Sequence, residues 1–468
     1  MTYTHYDRLT ALDMSFLALE SAGVHMHVGS VGIFDPGPLA SADGSLDFDQ
    51  ILRVVETGLF RAPRFRQKLA TAPLTGQRIW VDDPHFNTLY HVRHTALPMP
   101  GDERRLKRLF GRIMSQKLDR SKPMWELWIV EGLESGRLAV ISKVHHCLID
   151  GISGVDLLSA FMGSDPDHRP EAVDHRWIPR PAPGRLHLLS DEVGRRASLP
   201  GRVARGLLRS LRRPEASITE AAHTASGFGR GLRDALTPAG HTSLNVPLGP
   251  HRRFDWTRFD LGVVREVKTR LEGTLNDVVL GCVTGAVRRF LAERGEDVAE
   301  LQDFRALVPV STRRPAERGK LGNRVAMLVV PLPVAEPDPR RRVQQITGSM
   351  REFKSSGRTE GTDLLEEISD WTSPSLLSFM TRLASARLSF NLVVTNVPGP
   401  AFPVYLNGAR LLESYPLVPL FENQTLGIAL FSYDGSLFWG FNADWDAVPD
   451  LHDFVQAIDD EFETLRKL

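Results

Sequence analysis

The chain has 468 residues, 42% of them hydrophobic and 24% charged, so it is too long for one core, unlike a disordered polymer, and suits two domains of ordinary size. Its 57 Lys and Arg balance 57 Asp and Glu, which leaves no global field for nucleic acid. Two cysteines, Cys147 and Cys282, give neither a disulfide framework nor a zinc-ligand spacing.

Along the chain, Asp7, Arg8, Asp13 and Glu20 interrupt the N-terminal apolar positions. The stretch therefore does not read as a signal peptide, and a cytoplasmic protein is expected. His25 and His27 fall two apart and share one face of a strand, lining a channel or meeting solvent. Arg137–Val144 reads as a strand that runs into His145-His146, a turn, and a helix that Ser153 can cap with Asp156 three residues later. From Asp165 to about Arg253 the chain is rich in Arg, Pro, Gly and Ser. It includes Pro179-Arg180-Pro181-Ala182-Pro183-Gly184, which no regular element tolerates. The expected division is an N-terminal domain over 1–185, a connector over 186–250 and a C-terminal domain over 251–468. Within the connector, Arg202, Arg205, Arg209 and Arg212 fall in one helical arc, with Val203, Leu207, Leu208 and Leu211 roughly opposite. Such a helix suits either a lipid surface or packing on the protein's own core.

In the second half, Thr274 and Asp277 start a helix that reaches about Arg294 and stops at Gly295. Strands are expected at Phe304–Val310, Arg324–Leu332 and Phe390–Asn396. The longest apolar run, Val325–Ala335, contains Pro331 and Pro333 and is far shorter than the ~20 residues of a membrane span. Hairpins turn at Asn407-Gly408 and Asp434-Gly435, and Pro449–Lys467 forms a closing helix. The fold class that follows is α+β, each half a mixed sheet covered by helices, rather than a doubly wound parallel sheet.

The chemistry concentrates in His145-His146-Cys147-Leu148-Ile149-Asp150-Gly151. Neighbouring side chains on a strand face opposite ways, so the two histidines do different jobs and do not converge on one metal ion. An imidazole is the side chain suited to take a proton from a hydroxyl at neutral pH and return it to a leaving group. Asp150 and Gly151 suit a tight turn that fixes the loop. No Gly-x-Ser-x-Gly elbow offers a serine nucleophile, and no dinucleotide fingerprint follows a strand.

This string resembles the HHxxxDG signature of acyltransferases with the chloramphenicol acetyltransferase-like fold. Further matches resemble the bacterial wax ester synthase/acyl-CoA:diacylglycerol acyltransferase family: Leu9–Phe16, Met26–Gly29, Leu118–Glu126, Asn276-Asp277, Pro309–Arg313, Gly322–Arg324 and Asn396–Pro400, in order along nearly the whole chain. Lys117 and Lys122 stand where Pro and Arg are common.

The resemblance implies two chloramphenicol acetyltransferase-like domains with an active-site tunnel between them. It implies His146 as general base, His145, Asp150 and Gly151 as support, and direct transfer from a long-chain acyl-CoA to diacylglycerol, a fatty alcohol or both. Coenzyme A is then a substrate, and neither cofactor nor metal is expected. Thr395 is an oxyanion-donor candidate, or simply a strand threonine. Asn276 and Asp277 support the motif by capping or by direct chemistry. Arg66 is the candidate to hold Asp150, or else a solvated cation. Arg313 and Arg314 suit the phosphates of coenzyme A, or plain exposure. Peripheral contact with a membrane or lipid droplet is the expected partner surface. Two rival readings are an acyltransferase for a polyketide or another small hydroxyl or amine acceptor, and a non-catalytic droplet protein.

Overall fold

The computed structural model describes residues 6–40, 45–72, 76–149, 161–167, 177–194, 238–311, 325–355 and 390–468. Two six-stranded sheets organise these residues, with a small three-stranded sheet beside the first. In chain order, β1 is Asp7–Arg8, β2 His27–Asp35, β3 Gln67–Thr71, β4 Arg78–Asp82, β5 Val92–Ala96, β6 Trp125–Glu131 and β7 Leu138–His145. They are followed by β8 Arg252–Asp260, β9 Arg305–Ser311, β10 Val325–Pro331, β11 Leu392–Pro398, β12 Tyr405–Leu406, β13 Ala409–Leu417, β14 Leu426–Tyr433 and β15 Ser436–Asp444. The first large sheet has the order β12-β13-β2-β7-β6-β5 and the second β10-β9-β11-β14-β15-β8. Among the described residues, parallel pairing is confined to β5 with β6 and to β11 with its neighbours β9 and β14. A doubly wound parallel sheet is thereby ruled out, and the α+β expectation holds.

Both hairpins form where Asn-Gly and Asp-Gly allow them. Asn407 and Gly408 have φ of 50° and 92°, and Asp434 and Gly435 have 43° and 80°, the positive pairs that fit the twist of flanking strands. The helix α7 (Leu275–Glu293; α6 is Leu261–Arg270) begins with the expected capping box, Thr274 and Asp277 each satisfying the other's backbone N–H. Arg294 caps its end and Gly295 leaves the helix with φ 81°. It packs against α8 (Pro339–Ser355) and the closing helix α9 (Leu451–Lys467), and Val283, Val287, Phe290, Phe454 and Ile458 are buried in the second core.

The pairing departs from the expected division at residues 405–417. Although they lie inside 251–468, β12 and β13 join the first sheet, with β13 antiparallel to β2 from Gly29 to Asp35. The first core accordingly includes Phe254, Trp256, Tyr415, Tyr433 and Phe438 beside Phe34, Phe65 and Phe110. A β-carbon on Gly440 in β15 would overlap the Pro416 carbonyl of β13, so glycine is required where the two sheets cross closely.

Candidate active site

The sequence places the two histidines on opposite faces of one strand. Instead, β7 ends at His145 and a short helical turn, α5 (His146–Ile149), begins at His146. Their surroundings differ because the backbone changes from pleat to helix between them. His146 keeps partial exposure, its ring lies 3.9 Å from that of Phe16 in α1 (Ala11–Leu19), and its N–H donates to the Met26 carbonyl at 2.8 Å. His145 is 1% exposed, and its Nδ1 accepts the Cys147 N–H at 3.2 Å.

Behind His145 lies a buried charge that the sequence reading missed. Glu20 ends α1, and its side chain is only 6% exposed. Oε1 stands 3.4 Å from His145 Nε2 and accepts the Met26 N–H at 3.1 Å, while Oε2 accepts Arg120 Nε at 3.1 Å. Burial opposes the charge, but His145 and Arg120 outweigh it and hold the carboxyl well below the usual range. A carboxylate at a helix C-terminus meets an unfavourable dipole. Its position there, next to His25 and His27, was the available signal that it serves another purpose.

The pair His25 and His27 is buried, so solvent exposure is excluded for both. Only His27 belongs to β2, opposite His145, while His25 precedes the strand. Burial pushes the His25 imidazole down to about 4 and the His27 imidazole well below its ordinary value, each helped by nearby cations. Lys143 is fully buried, donates to the Ile113 and Gln116 carbonyls, and is pushed down to about 8 by burial.

These contacts explain several recognised segments residue by residue. Thr10 and Asp13 form the capping box of α1. The Leu118 N–H reaches His27 Nε2 at 3.4 Å, and Arg120 reaches Glu20. Trp125 is buried, donates to the Phe65 carbonyl at 2.7 Å and stacks on His91, so it packs the core.

In the second sheet, Asn276 Oδ1 accepts Asn396 Nδ2 at 2.8 Å, tying the first turn of α7 to β11 next to Thr395. Asp277 is buried in the capping box, and Thr395 is half-buried. Arg66 is buried rather than solvated. It donates to the Glu56 carbonyl at 3.3 Å and stacks over Phe60 and Trp177. Arg64, a second side chain the sequence reading passed over, pairs with Asp7 at 3.2 Å, and burial pushes its guanidinium down. Asp150, Gly151, Arg313, Arg314, the Ser153 helix start and the arginines of 202–212 lie outside the described residues. An open cavity of about 320 Å³ lined by Ser164, Phe402, Pro403 and Tyr405 includes none of the site residues.

Residues 9–279 match the wax ester synthase/diacylglycerol acyltransferase catalytic domain, and residues 321–466 match the C-terminal domain of the same group. The chain belongs to the wax ester synthase/diacylglycerol acyltransferase family. The catalytic-domain match begins at Leu9, just before α1, and spans the buried cluster and the turn at His145-His146. Among relatives of this family, the Mycobacterium tuberculosis protein named "Probable diacyglycerol O-acyltransferase tgs1" is 31% identical over 97% of this chain and 94% of its own length. The wax ester synthase/diacylglycerol acyltransferase from Marinobacter aquaeolei VT8 superposes with a TM-score of 0.67 at 25% identity, covering 98% of this chain and all of that one. The first condensation domain of the CDA synthetase shares the fold, with a TM-score of 0.59 at 17% identity over 100% of this chain and 96% of its own. The protein is an acyltransferase with the two-domain, chloramphenicol acetyltransferase-like fold.

Proposed function

We propose that this family member transfers a long-chain acyl group from coenzyme A to the hydroxyl of diacylglycerol, a fatty alcohol or both. The observation that carries the reading is the half-exposed His146, set at a strand-to-helix turn whose backbone is tied down from two sides. Its imidazole takes the acceptor's proton as the hydroxyl oxygen attacks the thioester carbonyl. The tetrahedral oxyanion then collapses, the C–S bond breaks, and the thiolate of coenzyme A receives the proton.

Thr395 is the proposed oxyanion donor, and the Asn276–Asn396 hydrogen bond supports it by anchoring its strand to α7. Arg313 and Arg314 are proposed to meet the phosphates of coenzyme A, and Asp150 and Gly151 to fix the motif loop. A tunnel between the halves would admit both apolar chains and exclude water. Contact with a lipid surface is peripheral in this reading: among the described residues, no helix is long and apolar enough to cross a membrane.

The test is an assay of His146→Ala with one acyl-CoA and both acceptors in competition. The transferase rate should fall by ~10²–10⁴, with little change in melting temperature. An unaltered rate would remove His146 from this role. Wild-type product from a small amine or polyketide acceptor alone would favour that rival, and no ester from any acceptor would favour a droplet coat.

A further inference from the structure

Among the described residues, Glu20 is the carboxylate that meets the hidden histidine, His145, and it reaches His146 by two routes. Through Oε1 it holds the Met26 N–H at 3.1 Å, and the carbonyl of Met26 receives the His146 N–H at 2.8 Å. The same oxygen faces Nε2 of His145 at 3.4 Å, and Nδ1 of that ring receives the Cys147 N–H at 3.2 Å. The peptide N–H of His146 and the one that follows it are thus both bound to groups resting on a single carboxylate.

The hydrogen bonds also assign the tautomer of His145. Its Nδ1 is an acceptor, so in the neutral ring the proton sits on Nε2, toward the carboxylate. His27 does not compete for this role, because its Nε2 is the acceptor for the Leu118 N–H and lies farther from Glu20, at 3.8 Å. On the other side, Arg120 neutralises Oε2 and also donates to the Leu17 carbonyl.

We infer that Glu20 is a positioning residue for acyl transfer: it fixes the tautomer of His145 and the turn that aims His146, with Arg120 as its counter-charge. The inference rests on the reading of His146 as the base. A misplacement of about 1 Å in a catalytic group costs about 10²-fold in rate, so removing the clamp should act on kcat and leave acyl-CoA binding nearly intact.

The test uses full-length Glu20→Gln, Glu20→Asp and His146→Ala, assayed for kcat and KM across pH, with circular dichroism and melting temperature alongside. Glu20→Gln keeps an oxygen for the Met26 N–H but removes the charge. Its kcat should fall about 10- to 100-fold, with KM for acyl-CoA changing less than about threefold. The acidic limb of its kcat profile should move to lower pH, because a nearby negative charge no longer favours the imidazolium while the cations of Arg120, Lys143 and Lys117 remain. His25, His27 and the Cys147 thiol also feel the Glu20 charge, and its removal in Glu20→Gln leaves both imidazoles still less inclined to protonate, in the same direction as the expected shift. Glu20→Asp, which restores the charge, should recover part of kcat. It also stands in should Glu20→Gln fail to fold, with kcat between wild type and His146→Ala as the expected result.

A folded Glu20→Gln with wild-type kcat and pH profile would overturn the inference. So would a loss confined to melting temperature, or a folded Glu20→Asp as active as wild type when Glu20→Gln cannot be folded. His146→Ala separates the two levels: if it is inactive while the Glu20 variants are normal, only the positioning role fails, and if it is active, the reading of His146 fails.

Discussion

Two buried imidazoles, His25 and His27, the second beside His145, make this part of the protein sensitive to mild acid. His25 is pushed from 6.5 down to about 4, first by burial and then by the charges of Arg252 and Lys117, and His27 shifts the same way. Between those values the unfolded chain binds a proton that the folded chain refuses, so stability is lost as pH falls through that window. The lowered Glu20 carboxyl adds its own loss only below its ordinary value of 4.5. The melting temperature should therefore drop between about pH 7 and pH 5, and His25→Asn should flatten that slope. An equally steep slope in the variant would assign the acid response to other groups. His146 was legible as a residue because its neighbours form a recognisable string. Glu20 was not, because its meaning depends on Arg120, one hundred positions away, and no local pattern records a contact of that separation.

At the scale of elements, local rules served well wherever the chain satisfies its own backbone. The Thr274–Asp277 capping box, the stop at Gly295 and both two-residue turns all appear where the residues call for them. The break between His145 and His146 was missed because Lys-Val-His-His carries no Gly, Pro, Asn, Asp or Ser, and the turn is fixed by Met26 on the neighbouring strand entry. One element bears on lipid contact. Residues 185–194 are helical and leave Leu186, Leu189 and Val193 exposed at helical spacing, with Leu186 at 83%. This apolar stripe lies just before the arginine-rich residues 202–212 in sequence, which makes the segment the place to test the proposed peripheral lipid contact. Replacing Arg202, Arg205, Arg209 and Arg212 by Gln should weaken sedimentation with anionic vesicles, whereas unchanged binding would refute the lipid role of this segment.

For the whole molecule, the decisive feature is that the first half of the chain does not complete its own sheet, whereas the second sheet is built entirely from residues 252–444. Strand β13 returns from the second half to pair with β2, Tyr433 binds the Leu411 carbonyl and the Val404 N–H, and Arg252 reaches Gly23. Composition and the proline-rich connector revealed two halves. The loan of β12 and β13 to the first sheet stayed hidden because alternation specifies that a strand exists and not which sheet receives it. This connection ties His146, the proposed base, to the half that carries β11 and α7, where Asn396 and Asn276 meet. The direct transfer proposed above would use such an arrangement, with both substrates meeting between the halves and no acyl group resting on the protein. The most direct measurement is rapid-mixing release of free coenzyme A from the wild-type enzyme and His146→Ala, with and without acceptor. Direct attack predicts release only when the acceptor is present, one coenzyme A per ester, and almost none from the variant. A burst of one coenzyme A per enzyme without acceptor, or full release from His146→Ala, would contradict it.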